Sequence, residues 1–186
     1  MIKKLIVPIF ILWEKIFARL HHIYTVENSP YGLLRMNIHP YTGDPLPLED
    51  GSILQPGEYV AELHISNTVI YSGKVGNVTV ASDIHLLPLF REEIQNLARL
   101  ARNGKLDPRV KALWGITLFG PGVKRMGFQM RPLPPSKNAV MLKMWMGFLR
   151  WIFSPSTARK RSKTSAARQA QEFWMSINHL LEKYSN

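Results

Sequence analysis

Two segments of the chain alternate polar and apolar residues at period two, the spacing of a strand with one face on a core and one toward water. In the first, running from Gly32 to His39, Leu34, Met36 and Ile38 oppose Arg35, Asn37 and His39. The second, Gly57 to Asn67, is entered from a Pro56-Gly57 turn; Tyr59, Ala61, Leu63 and Ile65 oppose Val60, Glu62, His64 and Ser66. The chain between them, 40–56, holds four prolines and the turn signals Thr42-Gly43-Asp44 and Glu49-Asp50-Gly51, a structured loop with room for one short strand.

Helical spacing takes over elsewhere. Ile9, Trp13, Ile16, Phe17 and Leu20 form one stripe of an N-terminal amphipathic helix over 2–20, expected to pack on the body or lie at a membrane surface, with packing favoured. A second helix, capped by Ser82 or Asp83 with Pro88 in its first turn, carries Leu89, Phe90, Ile94, Leu97 and Ala101 to a stop at Asn103-Gly104. Val110 to Phe119 is apolar on both parities, as a strand in mid-sheet is. Gly120-Pro121-Gly122 breaks it, a short turn follows over 123–126, and a strand runs from Gly127 to Arg131. Residues 138–153 make a helix apolar almost all round. Residues 154–168 make a basic loop, and a last helix is expected over Ala166 to Tyr184, with Phe173, Trp174, Ile177, Leu180 and Leu181 on one side. The order predicts a single α/β (α+β) domain over 1–186, with helices packed on a mixed sheet of about 4–6 strands.

Composition adds three constraints. A hydrophobic fraction of 46% and five tryptophans exclude wholesale disorder. The absence of cysteine excludes disulfides, a thiolate nucleophile and a zinc–thiolate site. The net charge of +11 is lopsided, because no Asp or Glu occurs from Pro108 to Gln171. That asymmetry calls for an anionic partner, such as a membrane surface or an anionic glycan or lipid precursor. Lys137 and Arg150 around the apolar helix, and Arg159, Lys160 and Arg161 behind it, are the candidate anion-binding residues. A core helix followed by a solvated loop explains the same pattern. Nucleic acid is disfavoured, because the aromatics of the basic half sit inside apolar runs. The apolar stretch after Met1 is too short to span a bilayer and lacks a cleavage site, which suggests a cytoplasmic protein, peripheral at most at the inner face of the membrane.

If the polar faces of the strands coincide, they line a cleft. Glu62 and His64 project to one side about 6–7 Å apart and suit an acid/base pair. Asn37, His39 and Ser66 would contact substrate, Thr117 would lie mid-sheet, and Arg125 or Arg131 would meet a negative group. An exposed sheet face with ordinary polar residues is the simpler alternative. A Ser66–His64–Glu62 triad is disfavoured, since three side chains in a row on one strand rarely converge on one atom. Metal binding by His39, Glu62, His64 or Asp83 and His85 has no compact motif behind it, so no metal is assigned.

LEDGSILQPGEYVAELHISN, KALWGITLFGPGVKRMGFQMRPLP and FWMSINHLLEKYS together resemble the YkoP-like family, bacterial domains found alone or fused behind polysaccharide deacetylases. The resemblance covers most of Trp13 to Tyr184. It rests on Glu62-Leu63-His64, Gly115-x-Thr117-Leu118, Arg125-x-Gly127-Phe128 and Trp174-x-Ser176, and departs from the family pattern at Ile177, where Arg is expected. It implies a setting, envelope glycan or lipid metabolism, and no activity. The element order is also similar to the acetyl-CoA-dependent N-acetyltransferases, which implies an acyltransferase-like layout and acetyl-CoA or another acyl-CoA as cofactor; Tyr71-Ser72-Gly73-Lys74-Val75-Gly76 does not match their pyrophosphate loop. Two functions stay open: an acyltransferase-like enzyme acting on a glycan or lipid precursor, or a non-catalytic module that binds an anionic membrane or polymer and assists a partner such as a polysaccharide deacetylase.

Overall fold

A computed structural model describes residues 2–66, 69, 74–75, 78–79, 83–117, 120–133 and 170–184. Helix α1 (Ile2–Leu20) leads into β1 (Tyr24–Thr25) and β2 (Leu34–Pro40). The hairpin β3 (Leu46–Pro47) and β4 (Ile53–Leu54) precedes β5 (Tyr59–Ile65), and β6 (Lys74–Val75) pairs with β7 (Val78–Thr79). Then come α2 (Asp83–Arg102), β8 (Val110–Thr117), α3 (Gly120–Arg125), β9 (Gln129–Pro132), β10 (Gln171–Ser176) and α4 (Ile177–Lys183).

Six strands form one sheet in the order β1-β2-β5-β8-β10-β9. Among the described strands only the β5–β8 pair is parallel, and its crossover runs through α2, as a parallel pair requires. The α+β class and the mixed sheet therefore stand as expected, and β8, apolar on both parities, lies in mid-sheet. The last helix begins later than expected. Residues 171–176 are not the first turns of a long C-terminal helix but a strand inserted between β8 and β9, with Trp174 opposite both Trp114 and Gln129. Phe173 and Met175 face the helices and Trp174 the other side, so apolar residues on both parities had imitated a helical stripe. The helix is confined to 177–183, with Ser176 as its N-cap accepting from the His179 amide.

One face of the sheet supports α2 and α4. Leu34, Met36, Ala61, Leu63, Leu113, Phe173 and Met175 pack there against Phe90, Ile94, Leu97 and Leu180. Gly115 belongs to this face because a Cβ on it would collide with the Phe173 ring and stand 3.0 Å from the Leu63 carbonyl oxygen. Thr117 shares that parity, so it belongs to the helix side and not to the polar face assumed for it.

The opposite face has two separate covers. The β3–β4 hairpin lays Leu46, Leu48 and Leu54 over Val60, Ala112 and Trp174. Its tip is tied down by acids: Glu49 accepts from the Ser176 amide and Asp50 from the Asn178 side chain, at the start of α4. Farther along β5, α1 is fixed by a 3.0 Å ion pair between Glu14 and Arg35. The stripe of α1 was expected to pack on the body or lie at a membrane surface, with packing favoured; among the described side chains Glu14 makes the contact with β2, while Trp13, Ile16, Phe17 and Leu20 remain exposed. The strip between the two covers holds the polar side chains of β2 and β5.

Candidate acid/base site

The β2–β5 ladder sets the geometry. Asn37 is the register partner of Glu62, Arg35 of His64, and His39 of Val60, so one carboxylate stands between two imidazoles on a diagonal. Glu62 Oε2 lies 3.4 Å from His39 Nε2, and Glu62 Oε1 lies 3.6 Å from His64 Nε2. The three side chains are 25–32% exposed. Both separations exceed a good hydrogen bond, and both Nε2 atoms are buried without a hydrogen-bond partner among the described residues.

Tautomers follow from the neighbours. His39 Nδ1 is 2.9 Å from the Pro40 carbonyl oxygen. A carbonyl only accepts, so Nδ1 carries hydrogen, and a neutral His39 turns its Nε2 lone pair toward Glu62. Two acceptors then face each other, and the pair needs a proton on one of them to attract. Burial lowers the pKa of His64 below its ordinary value, His39, Arg35 and His21 push the same way, and Glu62 opposes them. His64 is thus held neutral at neutral pH, able to accept a proton.

An aromatic row bounds the site on the hairpin side. Trp114, the partner of Glu62 across the parallel pair, meets the His39 ring edge-on at 5.9 Å. It stacks on Trp174 at 5.6 Å, and Trp174 meets Tyr41 edge-on at 5.6 Å. These contacts fix the His39 ring against a rigid wall.

The profile of the YkoP domain matches residues 3–184. The chain belongs to the YkoP domain family. Comparisons with curated proteins and with solved structures each gave no match. The likeness of this YkoP domain to acetyl-CoA-dependent N-acetyltransferases therefore rests on its sequence pattern alone. Most phrases that mark the domain have packing roles. Gly115 admits Phe173; Gly127 takes a φ of 97° and would bring a Cβ 2.6 Å from Lys183 Cδ; Phe128 is core; Ser176 caps α4. Glu62 and His64 instead face each other across 3.6 Å in the site.

Of the residues expected at the site, Asn37, His39, Glu62 and His64 come together. Ser66 does not, because it is 1% exposed beyond the end of β5, out of reach of a substrate. Arg125 is exposed on α3, whose Val123 packs in the helix-side core, so it lies away from Glu62. Arg131 faces the right side but three strands away, about 14 Å, and donates to the Pro47 carbonyl. Lys137, Arg150, Arg159, Lys160 and Arg161 lie outside the described residues, as do the helix expected over 138–153, the basic loop expected over 154–168 and most of 71–76. Among the described residues no group of three His, Cys, Asp or Glu is placed to hold a metal ion. Arg35, placed on the polar face from the sequence, pairs with Glu14; Trp114 was not singled out, and pairing β5 with β8 would have found it.

Proposed function

We propose that this YkoP domain is a transferase-like enzyme whose acid/base centre is the His39–Glu62–His64 row, acting on a hydroxyl or amine of an envelope glycan or lipid precursor. The observation that supports it is the single carboxylate between two imidazole Nε2 atoms, in the strip between the hairpin and α1. Neutral His64 takes the proton of the attacking hydroxyl or amine and passes it to the donor's leaving group as the acyl bond to that group breaks. Glu62 stabilises the imidazolium that forms, and a proton shared between its far oxygen and Nε2 of His39, which Pro40 and Trp114 anchor, holds those two groups together. Ordinary solvation of a sheet face does not account for two buried, unpartnered imidazole nitrogens aimed at one carboxylate.

The test is acyl transfer from acetyl-CoA to amino-sugar and lipid-linked sugar acceptors. His64→Ala and Glu62→Gln should each lower turnover by about 100-fold or more, with melting temperatures close to that of the unaltered protein. Equal turnover in both variants, or no transfer by the unaltered protein to any acceptor, overturns the proposal.

A further inference from the structure

Helix α1 carries one carboxylate, Glu14, and that residue is turned inward, 8% exposed and paired with Arg35. The outward side is thereby left without negative charge. Leu12, Trp13, Ile16, Phe17 and Leu20 on that side are between 36% and 71% exposed. Exposed Lys15 and Arg19 flank them, and Lys3 and Lys4 open the helix. Trp13 stacks on Phe17, and Phe17 meets the His21 ring at a tilt, one turn apart each, with ring centroids 5.0 and 4.1 Å apart. Large apolar groups, basic flanks and a tryptophan on one exposed helical face are the features of a helix lying in a lipid interface. No helix among the described residues is long and apolar enough to cross a membrane.

We infer that α1 docks in plane on an anionic bilayer, inserting Leu12, Trp13, Ile16, Phe17 and Leu20 and setting Lys15 and Arg19 among the headgroups. Charge chooses this occupant over a second copy of the chain. Two copies apposed through α1 would bring like-charged Lys15 and Arg19 together on molecules of net charge +11, whereas anionic lipid neutralises both. The inward Glu14 is what makes the face compatible with anionic headgroups. The inference stands on α1 and does not require the acid/base site to be catalytic.

The full chain is mixed with vesicles of phosphatidylcholine, with and without phosphatidylglycerol, and binding is followed by co-sedimentation. Binding should require phosphatidylglycerol and weaken as salt is raised. Ile16→Glu with Leu20→Glu should weaken it at least about tenfold, without lowering the melting temperature, since both side chains are exposed. Lys15→Glu with Arg19→Glu should weaken it as well, and serves alone if the first pair fails to fold. Brominated lipid should quench fluorescence in the unaltered protein and not in Trp13→Phe. Three results overturn the inference: no binding, binding unchanged in the two double variants, or self-association without vesicles that Ile16→Glu with Leu20→Glu abolishes.

Discussion

Glu62 Oε1 and His64 Nε2 stand 3.6 Å apart on one strand, and the carboxylate is the one neighbour that raises the pKa of an imidazole otherwise held low. Glu62→Gln should therefore move the His64 titration, followed by its Hε1 resonance, to lower pH than in the unaltered protein. An unchanged or higher midpoint would mean that the two groups do not share a proton site.

The same shift has a sign for stability. A histidine with a lowered folded pKa binds fewer protons folded than unfolded between that value and its ordinary one. The contribution is fully present above the ordinary histidine pKa of 6.5 and is lost as pH falls toward the folded value. Urea midpoints should drop over that window in the unaltered protein, and less in His64→Gln.

Asp50 acts in the acid range. Burial pushes its pKa up, but hydrogen bonds from Ser52, Ser176 and Asn178 outweigh it and bring it from 3.8 to about 2. Its stabilisation is present above 3.8 and lost as pH falls to about 2. Asp50→Asn should flatten the acid limb of a stability-against-pH curve measured by tryptophan fluorescence.

Glu93 of α2 is 0% exposed and accepts from the Ser29 hydroxyl and the Tyr31 and Leu33 amides, which fixes the turn before β2. Glu93→Ala leaves the buried Leu33 amide and the half-buried Ser29 hydroxyl and Tyr31 amide without their acceptor, and should cost about 3 kcal/mol in chemical denaturation.

Gly115→Ala should cost about 1–3 kcal/mol by overpacking, because the new methyl meets the Phe173 ring and the Leu63 carbonyl in mid-sheet. Thermal denaturation of the variant checks this.

What the sequence revealed divides along physical lines. The faces of β2 and β5 were legible because one side of each is buried, and alternation records burial. The mid-sheet place of β8 was legible for the same reason. Residues 171–176 were not, because a strand buried on both sides loses its period, and Phe173 with Ile177, Leu180 and Leu181 falls at helical spacing. Helix α1 showed its stripe but not which way the stripe points; that depends on Glu14 meeting Arg35, a pairing that leaves no local trace. Glu93 looked like any polar position on a helix, since its partners lie sixty or more residues away. His39, Glu62 and His64 were found as types on faces, and their convergence needed the register.

The position of β10 has a consequence for how the molecule is made. Strand β9 has only β10 for a neighbour among the described strands, and β8 lacks its second neighbour until 171–176 arrives. A ribosome must therefore release the chain through Ser176 before the sheet can close, and β8 and β9 meanwhile offer unsatisfied edges to other chains. Removing β10 and α4 should give an aggregating product rather than a smaller folded one.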